Sequence, residues 1–219
     1  MSTRLSGELV LRTPVDSDPL EIRRLMEATI VLGRPVPEID LAEYLDACLG
    51  WYLTAGLQDA AVCRIDGSFR GYSLVCVDPG NAERALRRSM AQLTVHTIGC
   101  ALLGRVDAPT RRFYRLRLRD AITLGIQGRE RSRLPHAHLN VVADARSGSV
   151  ALALRDHIDR RVALAGYERW MGEVNAPLGA RASALERLGF EVVKRQRNHT
   201  LSQLTGRVVE RLTVERQLG

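Results

Sequence analysis

The stretch from His136 to Phe190 constrains this chain most. It reads as strand, polar turn, helix, strand, helix, and then the start of another strand. The first strand is His138-Leu-Asn-Val-Val142. The turn is Asp144-Ala-Arg-Ser-Gly-Ser149, and the helix runs on through Val150-Ala-Leu-Ala-Leu154. A strand that feeds a small-residue turn opening a helix is a device for holding phosphate. The first backbone N–H groups of a helix lack intrahelical acceptors, and the helix dipole there favours negative charge. Small residues let the backbone approach the anion closely.

Other elements flank this stretch. Glu8-Leu-Val-Leu-Arg12 predicts a first strand. Asp18-Pro19 places a cap and a proline at a helix start, and Leu20, Ile22, Leu25, Met26 and Thr29 follow at helical spacing. A second helix is predicted from Asp40 to Tyr52, with Gly56 as its C-terminal cap. Asp66-Gly67 between two apolar runs is a strong hairpin signal. In residues 80–134, Ala85, Leu86, Ser89, Met90 and Leu93 share one helical face. The arginine-rich run 111–120 fits helix or strand, and helix is favoured. Two more strands are expected, from Phe190 to Arg197 and from Gly206 to Glu215. The prediction is one mixed α/β domain over residues 1–219.

Composition narrows the functional classes. An apolar fraction of 45% in 219 residues can supply a real core. No apolar run approaches the ~20 residues of a membrane span. The N-terminus lacks the apolar stretch of a secretion signal, so a soluble cytoplasmic protein without membrane partners is expected. The four cysteines form no Cys-x-x-Cys pair, and Cys63 and Cys76 are expected as buried thiols. The net charge of +7 invites a nucleic-acid reading. Lys194, however, is the only lysine among 32 basic residues, a skew that resembles GC-rich codon usage more than selection for a basic face. Aromatic residues make up only 5%, against the stacking platforms of single-strand binders.

The order of elements resembles the GNAT superfamily of acyl-coenzyme A dependent N-acetyltransferases. In that family the turn after the fourth strand has the form Gln/Arg-x-x-Gly-x-Gly/Ala. Arg146-Ser-Gly-Ser149-Val-Ala151 matches it, except that Ser149 stands at the usual glycine. Ala182-Ser-Ala-Leu-Glu-Arg-Leu-Gly-Phe-Glu191 resembles the family's following helix and its turn into a strand. The resemblance implies a mixed, mostly antiparallel sheet flanked by helices. Residues 80–134 would be a helical insertion between the third and fourth strands that shapes the acceptor pocket. It implies acetyl-coenzyme A (acetyl-CoA), or another acyl-CoA, as cofactor. Leu139, Val141 and Val142 would bind the pantetheine arm, with Arg146, Ser147, Gly148, Ser149, Val150 and Ala151 around the pyrophosphate. Many members carry a tyrosine four residues before the glycine of Leu-Gly-Phe, where it protonates the leaving thiolate. Here that position is Leu185. Tyr72, Tyr114 or solvent would then replace it.

Amine acylation needs a base, an oxyanion donor and close placement of two substrates. His136 and His138 alternate on one strand and so share a face. They are candidate catalytic bases, and arylalkylamine acetyltransferases look similar there. Buried, hydrogen-bonded histidines are the competing reading. A metal is not expected, because no carboxylate or cysteine lies nearby in sequence. Glu173 and Asn175 follow Trp170 at a strand end where the GNAT resemblance implies an opening. Glu173 is a candidate base through water, and Asn175 a candidate for orienting cofactor or water. Asp156, His157 and Asp159 are expected on a solvated face.

A small-molecule amine is the expected acceptor. An acidic carrier protein or an aminoacyl-tRNA as donor is the alternative, suited by the arginines of residues 111–119. A non-catalytic binding domain is a third reading. A homodimer formed through the last strand is also considered.

Overall fold

A computed structural model describes residues 8–15, 17–127, 134–145, 148–180 and 182–219. In chain order the elements are β1 (Leu9–Arg12), α1 (Asp18–Thr29), α2 (Ala42–Leu49), β2 (Ala61–Ile65), β3 (Ser68–Cys76), α3 (Pro79–Leu102) and α4 (Ala108–Gln127). These are followed by β4 (His136–Val141), α5 (Ser149–Leu164), β5 (Arg169–Pro177), α6 (Ala182–Arg187), β6 (Glu191–Arg197), α7 (His199–Thr205) and β7 (Val209–Gln217). The strands form one seven-stranded sheet in the order β1-β2-β3-β4-β5-β7-β6. Every neighbouring pair is antiparallel except β4 and β5, which run parallel.

Local chemistry sets the boundaries. Asp66 (φ 49°) and Gly67 (φ 75°) both adopt left-handed conformations at the tip of the β2–β3 hairpin, as a type I′ turn demands. Asp78 caps α3 by accepting from the Asn81 N–H at 3.1 Å, with Pro79 in the first turn. Gly189 (φ 80°) turns the chain out of α6 into β6.

Two layers cover the sheet. On one face α5 buries Val150, Leu154, Ile158 and Val162, four residues spaced by one helical turn, against β2, β3 and β4. On the other, Ile22, Leu25, Leu49 and Tyr52 pack on Val62, Tyr72, Leu74 and Cys76. A further cluster joins α2, α3, α4 and α7 through Leu45, Leu93, Phe113 and Leu201. Side-chain bonds fasten α4 there. Asp120 accepts from the backbone N–H groups of His199 and Thr200 and from the Thr200 hydroxyl, closing the N-terminus of α7. Arg117 donates to the Tyr44 hydroxyl and lies 5.1 Å over its ring.

Several sequence expectations change. Asp18 does not cap α1. Its fully buried carboxylate binds Arg12, Arg64 and the Val15 N–H. The second helix covers only residues 42–49, and Gly56 (φ −91°) is no left-handed cap. A Cβ at Gly56 would lie 2.6 Å from the Trp51 ring, so close packing selects glycine there. The arginine-rich run is helix α4. The segment between the last two expected strands, for which no helix is predicted, contains α7, capped by the Asn198 side chain on Leu201 N–H. β7 is hydrogen-bonded on both sides, to β5 and β6, so it offers no free edge for a dimer.

Candidate active site

β4 and β5 pair at one register position, His136 with Met171. The Met171 N–H donates to the Pro135 carbonyl at 2.9 Å, and past this point the two strands separate. On its other edge β4 stays paired with β3 from His136 to Val141. The opening therefore lies between the C-terminal halves of β4 and β5. Backbone direction alternates along a strand. The Val142 N–H donates to Arg70 O on β3, while the Pro135 carbonyl points to β5. By that alternation the N–H and C=O of Leu139 face the opening. The Val141 N–H, on the same edge, is bonded at 3.0 Å by the side chain of Asn140.

Side chains alternate as well. Ala137 and Val141 are buried against α5. His136, His138 and Asn140 take the opposite face, where Asn140 donates to the Thr29 hydroxyl on α1. His136 and His138 both meet the ring of Tyr52 edge-on, with centroids 5.9 and 5.1 Å apart. His138 has solvent access, yet the surrounding protein penalises its charged form and lowers its pKa.

On the other wall, Glu173 stands two residues past Met171, as His138 stands two past His136. It lies 3.7 Å from Arg211 Nε on β7. Arg211 is buried, and its pKa is lowered by that burial and by the nearby positive charge of Arg117. Asn175 accepts from the Asn198 side chain at 2.9 Å, which fixes its orientation beside the cap of α7. The two histidines and Glu173 thus share one side of the sheet and flank one opening.

The phosphate-type turn is partly described. Arg146 and Ser147 lie outside the described residues. Gly148 takes the left-handed conformation, φ 96°, and Ser149 is the exposed first residue of α5. A helical residue needs no glycine, so serine fits where the family motif has glycine. The Val150 side chain is fully buried in the α5 core and Ala151 packs beside it, leaving only their N–H groups to face a ligand. The Val142 N–H is already taken by Arg70, so its role in cofactor binding is not supported.

Other expectations resolve structurally. Leu185 packs with Ala176, Leu212 and Val214 inside the core. Tyr72 and Tyr114 are both pushed up to about 12 by burial, which makes them poor acids near neutrality. Asp159 binds Trp170 Nε1 and Arg216, and His157 meets the Ser73 hydroxyl at 3.0 Å, so these are fold contacts rather than a solvated face. Tyr52 and Arg211 were not singled out in the sequence. Arg211 carried a signal, a charge on the inward side of an apolar strand.

No family model matches the chain, and no curated protein matches it in sequence. Solved structures do match in three dimensions. An agmatine N-acetyltransferase variant superposes with a TM-score of 0.59 at 15% identity, covering 96% of this chain and 99% of that one. A GNAT superfamily phosphinothricin acetyltransferase from Sinorhizobium meliloti, solved with acetyl-CoA, gives 0.53 at 15%, covering 96% and 89%. A ribosomal-protein-alanine N-acetyltransferase from Brucella melitensis gives 0.54 at 14%, covering 95% and 99%. The chain has the GNAT fold. Within that GNAT fold, α3 and α4 occupy the connection between β3 and β4; α4 is tied to α7 through Asp120, and Arg117, bonded to Tyr44 on α2, lies near Arg211.

Proposed function

We propose that this chain is an N-acyltransferase that takes an acyl group, most simply acetyl, from acyl-CoA and passes it to the primary amine of a small molecule. The parting of β4 from β5 after a single register pair carries this reading. It leaves a strand edge unpaired at Leu139 and ends near the start of a sixteen-residue helix whose first N–H groups suit a pyrophosphate. The exposed Ser149 and the left-handed Gly148 keep that start clear of bulky side chains.

A bound acyl-CoA supplies a thioester carbonyl. The Leu139 N–H donates to the oxyanion that develops there. His138, held neutral by its surroundings, takes the proton from the attacking amine, directly or through water. Glu173 on the facing wall attracts the ammonium form of the acceptor before it loses that proton. With Leu185 in the core, water entering the opening protonates the departing thiolate. The residues 80–134 shape the acceptor side, and the chemistry suits the cytoplasm, where acyl-CoA is made.

One observation favours a second donor class. A surface hollow of about 400 Å³ is lined by Arg119, Arg197, His199 and Arg207. Such a basic hollow suits an acidic carrier protein or an aminoacyl-tRNA as donor.

Calorimetric titration with acetyl-CoA, with desulfo and dephospho analogues as controls, tests the reading. Binding that weakens without the phosphates supports it and justifies an amine screen. Absence of binding overturns the CoA reading, and turnover with a charged carrier protein or tRNA would then establish the second. Tight binding with no turnover on any amine would make the chain a binding domain.

A further inference from the structure

We infer that Cys100, His96 and Glu43 form a nucleophilic thiol centre on the helical layer, separate from the strand opening, that exchanges with small cationic disulfides. Glu43 Oε2 lies 2.8 Å from His96 Nδ1, and His96 Nε2 lies 3.4 Å from Cys100 Sγ. Each imidazole nitrogen thus has one partner. A carboxylate on Nδ1 fixes the tautomer that leaves Nε2 as an acceptor toward the sulfur. Nucleophile, base and orienting carboxylate stand in one line, the arrangement that activates a thiol.

The centre belongs to a surface that can receive a substrate. Ser89, Leu93, His96 and Cys100 follow one another at steps of four, three and four, so they share one face of α3. The first three line a groove of about 330 Å³ against α2, with Glu43 and Asp46 on the other side. Cys100 extends that face by one turn. The His96 and Glu43 side chains are 57% and 53% exposed, so an incoming molecule reaches them without any movement of the fold. Glu43 sets the charge of the ligand, because its exposed carboxylate repels an anionic disulfide and attracts a cationic one, whereas Asp46 is already paired with Arg23 at 2.5 Å.

The exchange balances without a further reactant. As Cys100 Sγ attacks one sulfur of the disulfide, its proton passes to His96 Nε2. The S–S bond of the reagent breaks, a Cys100 mixed disulfide forms, and the leaving thiolate takes the proton from His96. Cys100 is oxidised and one half of the reagent is reduced. Glu43 stabilises the transient imidazolium.

Intact-mass kinetics of the full chain with cystamine at neutral pH test this, with peptide mapping of the adduct and the dianionic 3,3′-dithiodipropionate as the comparison. The expected result is a single adduct on Cys100, formed several-fold faster with cystamine than with the dianion. Cys63 and Cys76 should stay unmodified inside the core, and Cys48, whose thiol burial pushes up, should react more slowly. His96→Gln should slow the reaction about 10- to 100-fold. Glu43→Gln, a change in a positioning residue, should slow it less and erase the preference for the cationic reagent. Both replaced side chains are exposed, so circular dichroism should show unaltered folding. An adduct that forms on Cys100 at an unchanged rate in His96→Gln, or that maps first to Cys48, overturns the proposal. Equal rates with both reagents overturn the assigned ligand charge.

Discussion

Tyr52 meets His138 edge to face, with ring centroids 5.1 Å apart and planes at 87°. The tyrosine is buried, its hydroxyl has no hydrogen-bond partner among the described residues, and burial pushes its ionisation well above the ordinary range. The ring therefore supports the histidine, while the hydroxyl contributes nothing to stability. Tyr52→Phe should leave stability unchanged or raise it by about 1 kcal/mol. Tyr52→Ala should cost about 3 to 4 kcal/mol through the lost packing. Chemical denaturation of both variants checks this, and a clear loss in the phenylalanine variant would reveal a partner for the hydroxyl.

His138 should govern the pH profile of acyl transfer. Its surroundings lower its pKa, so the neutral base form persists below the ordinary histidine range. The rising limb of kcat/KM should lie on the acidic side of that range. His138→Ala should remove the limb and lower kcat/KM by about 100-fold or more. If Glu173→Gln removes the limb and His138→Ala keeps it, the base is Glu173.

His157 should make the protein acid-sensitive. Burial, then the nearby charges of Arg160 and Arg161, bring its pKa to about 4. The unfolded chain accepts a proton near the ordinary histidine pKa of 6.5 that the native state refuses. Stability is therefore full above that value and falls as pH drops from it to about 4, by on the order of 2 to 3 kcal/mol. Thermal melts across this window should show the loss, and His157→Gln should flatten it.

Gly189 should tolerate no side chain. Its φ is 80°, and a Cβ there would lie 2.2 Å from Arg216 Nη1. That arginine donates to the carbonyls of Leu188 and Gly189 and pairs with Asp159. Gly189→Ala combines backbone strain with displacement of the guanidinium, and should cost about 2 to 3 kcal/mol. Calorimetric melting against the parent chain measures it.

Asp18 should be intolerant of neutralisation. Burial raises its carboxyl, but hydrogen bonds from Arg12, the Val15 N–H and Arg64 outweigh that and bring the pKa to about 2. Asp18→Asn leaves two guanidiniums without their shared anion and should cost about 3 kcal/mol. Its contribution is present above the ordinary aspartate pKa of 3.8 and is lost as pH falls through about 2. Urea titrations at neutral and acidic pH separate the two effects.

Much of the fold was legible along the chain. Asp66-Gly67 announced its hairpin because two left-handed residues leave few alternatives. The small-residue turn running into Val150-Ala-Leu-Ala-Leu154 announced α5, and Leu188-Gly189-Phe190 announced the turn into β6. The shared face of His136 and His138 followed from strand alternation alone. These features are local, fixed by backbone sterics and by side-chain periods that a sequence displays directly.

Other features needed distant parts of the chain in contact. Asp18 looked like a cap until Arg64, 46 residues away, turned it into a buried anion. Asn175 was read as orienting cofactor or water, and the fold adds a bond that no local pattern shows, from the Asn198 side chain to its oxygen. Arg211 became part of the opening only because β7 inserts between β5 and β6. The meeting of Cys100, His96 and Glu43 required α2 to lie along α3. The sequence by itself determined most of the strands and helices and their apolar faces, because those depend on residues within a few turns, but it did not show α7, whose start is fixed by Asp120 from α4. Which polar side chains would end up as partners was decided by tertiary packing, since a buried charge takes its role from whatever the fold places beside it.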